Sequence, residues 1–159
     1  MANRIWGRGS QVVYGELHPR LQRVVTRIRD EVADITLLEG YRNQERQDAL
    51  FQSGESQVVF PNGKHNRSPS WAVDLQPSPR PLEDNKLWGA LGYVAGAAIL
   101  IAKEEGVILR WGGDWNCNGD TTDQKFYDLF HLEIVEILDN ETGTPACLPC
   151  GGCACVGPC

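Results

Sequence analysis

An aspartate in the middle of an apolar run is the strongest constraint in this chain. Trp71-Ala72-Val73-Asp74-Leu75 has the residue types of a buried strand, yet Asp74 puts a carboxylate among them. Burying that charge alone is costly, so the fold has to bring it a partner. His65 lies nine residues earlier, in a polar loop broken by Pro69. Imidazole nitrogen and carboxylate oxygen are both zinc ligands. The chain has three histidines, and the third after His18 and His65 is His131, in Asp128-Leu129-Phe130-His131-Leu132-Glu133. This is another polar pair that leads into an apolar run. His65, Asp74 and His131 together make a three-ligand set with an open fourth position, the pattern of catalytic rather than structural zinc. Asp128, three residues before His131, is a spare carboxylate able to take the proton of an attacking water.

His18 precedes Pro19 and suits a helix boundary better than a ligand position. Leu21, Val24, Val25, Ile28 and Val32 recur at helical spacing and predict a helix to about Ala33. Residues 1–13, before it, read as an irregular arm. Ile35 to Gly40 predicts a strand ended by Gly40-Tyr41-Arg42, and Asn43 is a candidate N-cap for a helix from Gln44 to Ser53, closed by Gly54. Arg42 thus falls at a strand–helix junction, where a side chain can reach a cleft or form a surface ion pair. Residues 55–70 form a long loop. After the Pro-rich stretch Pro77 to Pro81, a helix is expected over 82–105, and Val107 to Trp111 reads as a strand. Trp111 is a candidate for the cleft wall or the core. His131 to Leu138 alternates apolar and acidic residues, as a strand does, which puts Glu133 on the face of His131, behind the metal or in solvent.

Length and charge narrow the function. The 159 residues suit one domain with a proper core. A net charge of −6 argues against a nucleic-acid partner and gives no electrostatic help in approaching an anionic cell wall. Met1 to Ser10 carries Arg4 and Arg8 with no apolar core after it, so no signal peptide is expected. Leu87 to Ala102 is sixteen residues without a charge, short of the ~20 of a spanning helix. With Gly89, Gly92 and Gly96 it reads as a buried helix whose small residues let a sheet approach, and no membrane span is expected.

Two further clusters stay open. Asp114, Asn116, Asn118 and Asp120 alternate with other residues, and Gly119 follows the third, as at the opening of a Ca²⁺ loop. The closing Glu is missing, Lys125 standing in its place, so an Asx-rich turn competes with calcium. From Asp139 on, a linker leads to Cys147, Cys150, Cys153, Cys155 and Cys159. These suit a second structural metal, an iron–sulfur centre, or disulfides with Cys117 as a sixth partner. The tail also suits docking to a larger assembly.

Four stretches, in order, carry a family resemblance: Glu39-Gly40-Tyr41-Arg42 with Gln47, His65 through Asp74, Arg110-Trp111-Gly112-Gly113-Asp114-Trp115, and Asp128-Leu129-Phe130-His131. They resemble the VanY-like zinc peptidases, the D-Ala-D-Ala carboxypeptidase and L-alanyl-D-glutamate endopeptidase group that includes many phage endolysins. The resemblance implies an α+β fold, a small antiparallel sheet with packed helices, shared with DD-peptidases and Hedgehog-type signalling domains. It implies zinc on His65, Asp74 and His131, and Asp128 as the base. Arg42 would stabilise the oxyanion or bind a substrate carboxylate, and Gln47 would line the same cleft. The family commonly has Ser where Gly63 stands, and the Ser68-Pro69-Ser70 insertion looks like the phage subset. The implied substrate is the stem peptide of bacterial peptidoglycan, cut between L-Ala and D-Glu. The alternatives are D-Ala-D-Ala carboxypeptidase action and a catalytically silent docking subunit of a phage tail. The expected layout is a zinc peptidase domain over 1–138 and a linker with the Cys-rich tail over 139–159. Such an enzyme would reach the wall through a separate pore or on a virion, with phage tail proteins as partners in the second case.

Overall fold

The computed structural model describes residues 5–138. The Cys-rich tail and its linker, and with them every reading of Cys147 to Cys159, lie outside the described residues. Four strands form one antiparallel sheet in the order β1-β2-β4-β3: β1 (Ile35–Glu39), β2 (Ala72–Pro77), β3 (Val107–Gly112) and β4 (Asp128–Ile137). Helices α1 (Arg8–Glu16), α2 (Pro19–Arg27), α3 (Gln44–Ser53) and α4 (Asp84–Glu104) complete the α+β architecture.

The sheet buries one face and leaves the other for the site. Ile35, Leu37, Val73, Leu75, Leu109, Leu132 and Ile134 point into the core, where they meet Leu21, Val24, Val25 and Ile28 and the α4 residues Val94, Ala95, Ala98 and Ala102. Strand alternation then sends Asp74, between Val73 and Leu75, and His131, before Leu132, to the opposite face. Asp74 and His131 are direct cross-strand partners of β2 and β4, so the register alone brings two of the three candidate ligands together.

Several elements end as expected. The Asn43 side chain caps α3 by accepting the Arg46 N–H at 2.9 Å, and Gly54 closes that helix at φ 81°. The His18 ring caps α2, its Nδ1 accepting from the Arg20 N–H at 3.2 Å. Others differ. The helix expected to run to Ala33 is α-helical only to Arg27 and continues as a π turn over Ile28–Val32. Part of the irregular arm is helix α1. Its residues lack a strong apolar stripe, and tertiary contacts hold it: the buried Ser10 hydroxyl accepts the Leu37 N–H at 3.1 Å, and Val13 and Tyr14 pack on the core. Small residues of α4 do admit the sheet, but not all of its glycines take part: Gly92 faces the Trp111 ring of β3 and Ala95, Ala98 and Ala102 pack in the core, whereas Gly89 and Gly96 face outward with nothing near them. The helix is long and apolar enough to cross a membrane by length and composition, and one side of it, with Leu87, Leu91, Val94, Ala98 and Ala102, is buried against the domain.

Candidate active site

His65 enters from the loop before β2, on a short 3₁₀ turn, Lys64–Asn66. The loop is pinned on both sides. The His65 carbonyl accepts the Arg42 N–H at 2.8 Å, and the Lys64 carbonyl accepts the Trp71 N–H at 3.1 Å. Three atoms then converge: His65 Nε2, His131 Nδ1 and Asp74 Oδ1 lie 3.1 to 3.2 Å from one another. Zinc bound at 2.0–2.1 Å in a tetrahedron spaces its ligand atoms by roughly 3.3 Å. Among the described residues this is the one group of three or more His, Cys, Asp or Glu side chains whose ligand atoms meet.

The outer ring nitrogens decide what faces inward. His65 Nδ1 is 2.6 Å from the Gly40 carbonyl oxygen, which can only accept, so Nδ1 carries the proton and Nε2 presents a lone pair. His131 Nε2 is 3.1 Å from a Glu133 carboxylate oxygen, so Nε2 carries the proton there and Nδ1 presents its lone pair. Two lone pairs and a carboxylate oxygen aimed at one point repel each other unless a cation sits between them. The residues present therefore fit a metal ion of the zinc type.

The surroundings favour positive charge at this point. With no cation between the three groups, burial opposes ionisation of His131, but hydrogen bonds to Asp74 and Glu133 outweigh it and raise its pKa to about 9, so the point attracts either a proton on Nδ1 or a metal ion in its place. Burial likewise pushes Asp74 up, yet His131 and His65 hold it below the ordinary carboxylate range. Glu133, only 5% exposed, is pushed up by burial and pulled down to about 2 by His131 and Arg110. Arg110 Nε donates to Glu133 at 2.9 Å, and the two residues are cross-strand partners on β3 and β4. Asp128 opens β4 and lines the same cleft as the three candidate ligands. Burial, and then the neighbouring Asp74, raise its pKa, while His131, His65 and Arg42 pull it down.

Arg42 is held rather than loose. Its Nη2 is 2.5 Å from Glu39 and 3.5 Å from Asp74, and its Nη1 donates to the Gln47 side-chain oxygen at 3.2 Å. Gln47 is fully buried. Its amide nitrogen donates to Ser56 at 2.9 Å and to the Val58 carbonyl, and its oxygen also accepts from Asn66 at 3.3 Å. Gln47 thus ties Arg42 to the loop that carries His65. Gly63 leaves room for Asn66, whose side-chain oxygen accepts the Gly63 N–H at 3.0 Å.

The cleft encloses about 720 Å³. Trp111 does not wall it: that ring is in the core, with Nε1 donating to the Leu129 carbonyl at 2.8 Å. Trp115 takes the position, its ring 5.5 Å from that of His131 and beside Phe126. A strand irregularity between Trp111 and Gly112 redirects the chain, which simple alternation could not foretell. Beyond it, the 114–120 segment is hydrogen-bonded as an Asx-rich turn. Asp114 accepts the Asn118 and Gly119 N–H groups at 3.2 and 2.9 Å, and the amides of Asn116 and Asn118 donate to Asp123. Asp120 accepts from Thr122.

A family model described as phage L-alanyl-D-glutamate peptidase matches residues 2–135. The L-alanyl-D-glutamate peptidase of Escherichia phage T5 is 29% identical over 134 residues, which cover 82% of this chain and 97% of that protein. The crystal structure of the Serratia marcescens L-Ala D-Glu endopeptidase ChiX is similar with a TM-score of 0.61 at 25% identity, over 83% of this chain and 91% of that one.

Proposed function

The chain belongs to the phage L-alanyl-D-glutamate peptidase family, and from that membership we propose that it is a zinc-dependent endopeptidase cutting peptidoglycan stem peptides between L-Ala and D-Glu. The observation that carries the metal dependence is the inward convergence of His65 Nε2, His131 Nδ1 and Asp74 Oδ1. Zinc held by these three residues supplies Lewis-acid activation of water and of the scissile carbonyl.

Asp128 then acts as general base. It takes a proton from the attacking water as the oxygen bonds to the carbonyl carbon, and it delivers that proton to the leaving nitrogen as the C–N bond breaks. Its partial burial suits the second half of this task, because a raised carboxyl pKa makes the protonated form a usable acid. Arg42, fixed by Glu39 and Gln47, keeps a positive charge beside the reacting centre, where negative charge develops on the carbonyl oxygen. The peptidase domain is assigned to 1–138, and the site of action is the bacterial wall, reached through a pore or on a virion. Calcium at Asp114, Asn116, Asn118 and Asp120 would steady the loop that carries Trp115 and takes no part in the chemistry.

Mass spectrometry of purified peptidoglycan after incubation, with and without a chelator, tests the reading. New D-Glu amino termini, abolished by chelation and restored by zinc, are expected. Loss of a terminal D-Ala would instead make the enzyme a carboxypeptidase. No zinc-dependent product across several wall chemistries would leave a docking subunit, with phage tail proteins as the partners to test.

A further inference from the structure

Five cationic side chains line the cleft: Arg42, Arg46, Lys64, Arg110 and Lys125. Three of them already face carboxylates, Arg42 and Arg46 on Glu39 and Arg110 on Glu133. Among the described residues, no carboxylate lies within 4.0 Å of the ammonium of Lys64 or Lys125. Lys125 is exposed, whereas Lys64 is partly buried. The Lys64 ammonium rests 5.2 Å from the centre of the Trp71 ring, and its backbone carbonyl is anchored by the Trp71 N–H. It is the residue immediately before ligand His65. A cation therefore lines the cleft from a fixed backbone point, partly stripped of water and with no carboxylate in direct contact; Glu133, which acts on it from farther off, is already bonded to Arg110 and His131. Such a group gains most from an anion brought by a ligand.

We infer that Lys64 is a specificity-determining residue that binds the remaining carboxylate of the substrate glutamate beside the scissile bond. The inference rests on the proposed function. A glutamate acylated by L-Ala at its nitrogen has two carboxyl groups, and whichever carries the rest of the stem, the other remains an anion. Arg42 and Arg110 already spend donors on Glu39 and Glu133, whereas no carboxylate occupies the Lys64 ammonium, so Lys64 has more to gain from that anion. Conversion of this carboxylate to a primary amide keeps its size and removes its charge, which gives a matched pair of substrates.

The experiment compares kcat/KM for two soluble stem peptides that differ only in this group, acid or amide, with zinc-loaded wild type, Lys64→Met and Lys64→Arg. Wild type is expected to favour the acid by about tenfold to a hundredfold, the scale of one charge-assisted contact. The ratio should fall towards one in Lys64→Met and be largely retained in Lys64→Arg. A misfolded or metal-poor preparation scales both substrates alike, so the ratio reads only the discrimination. A wild-type ratio near one, or an unchanged ratio in Lys64→Met, overturns the role of Lys64. If wild type cuts neither peptide between L-Ala and glutamate, the proposed function fails instead.

Discussion

His131 can offer Nδ1 to a metal only while Nε2 holds the proton, and Glu133 accepts the hydrogen bond of that proton at 3.1 Å. Glu133→Gln removes the charge that makes this acceptor strong and leaves Arg110 without its carboxylate. Zinc affinity is expected to fall about 10- to 100-fold, as read by competition with a chromophoric chelator. Asp128 is the complementary case, a residue needed for chemistry and not for the metal. Asp128→Asn should keep stoichiometric zinc while kcat/KM drops by about 10²- to 10⁴-fold, and His65→Ala should lose both. Full activity in Asp128→Asn would remove it as the base. At this scale the donor set was legible, because a histidine and a carboxylate stand out in or beside apolar runs. The role of Glu133 needed one more step, the two-residue strand period that puts it on the face of His131. Lys64 carried no signal, since a lysine in a polar loop is usually solvated.

The elements set how firmly these side chains are held. At the start of β4 the backbone of Asp128 passes so close to β3 that a Cβ on Gly112 would overlap the Asp128 carbonyl oxygen. Gly112→Ala should force the two strands apart just where the proposed base enters. About 1–3 kcal/mol of stability is expected to be lost, with activity falling further than the unfolded fraction explains; thermal melts and kcat/KM on one preparation separate the two effects. The α2–α4 contact is electrostatic at its edge. Glu105, next to the end of α4, accepts from Arg23 at 2.7 Å and from Arg27 at 3.4 Å, and these bonds, Arg23 first, hold its carboxyl below the ordinary glutamate value. A lowered folded-state pKa means that the contribution is present at neutral pH and is lost as pH falls below the ordinary glutamate range. The gap in denaturant midpoint between wild type and Glu105→Gln should therefore be widest near neutrality and close as the pH falls below the ordinary glutamate range. A gap that does not change with pH would assign the effect to packing. Strands and helices with apolar periodicity or capping residues, such as β1 and α3, were legible in the sequence. Helix α1 was not, because its order comes from Ser10 on Leu37 and from Val13 and Tyr14 against the core, contacts between segments far apart in the chain.

Across the whole molecule, the proposed metal site joins a loop to two strands, with His65 before β2, Asp74 on β2 and His131 on β4. A metal bound only by the folded state stabilises it by about 4 kcal/mol at a thousandfold excess over Kd. Chelation should therefore lower the melting temperature as well as abolish hydrolysis, and zinc should restore both. A melting temperature indifferent to chelator would mean that no metal couples these elements. By itself the sequence determined the fold class, the order of the strands along the chain and the candidate ligand set, since burial cost, strand period and capping chemistry act over a few residues. Only the tertiary structure decided that Trp115 and not Trp111 walls the cleft, that Glu39 and Gln47 hold Arg42, and that Lys64 is left with no carboxylate partner among the described residues. Those outcomes depend on strand register, on an irregularity between Trp111 and Gly112, and on which charges meet across the cleft, none of which is encoded in local spacing.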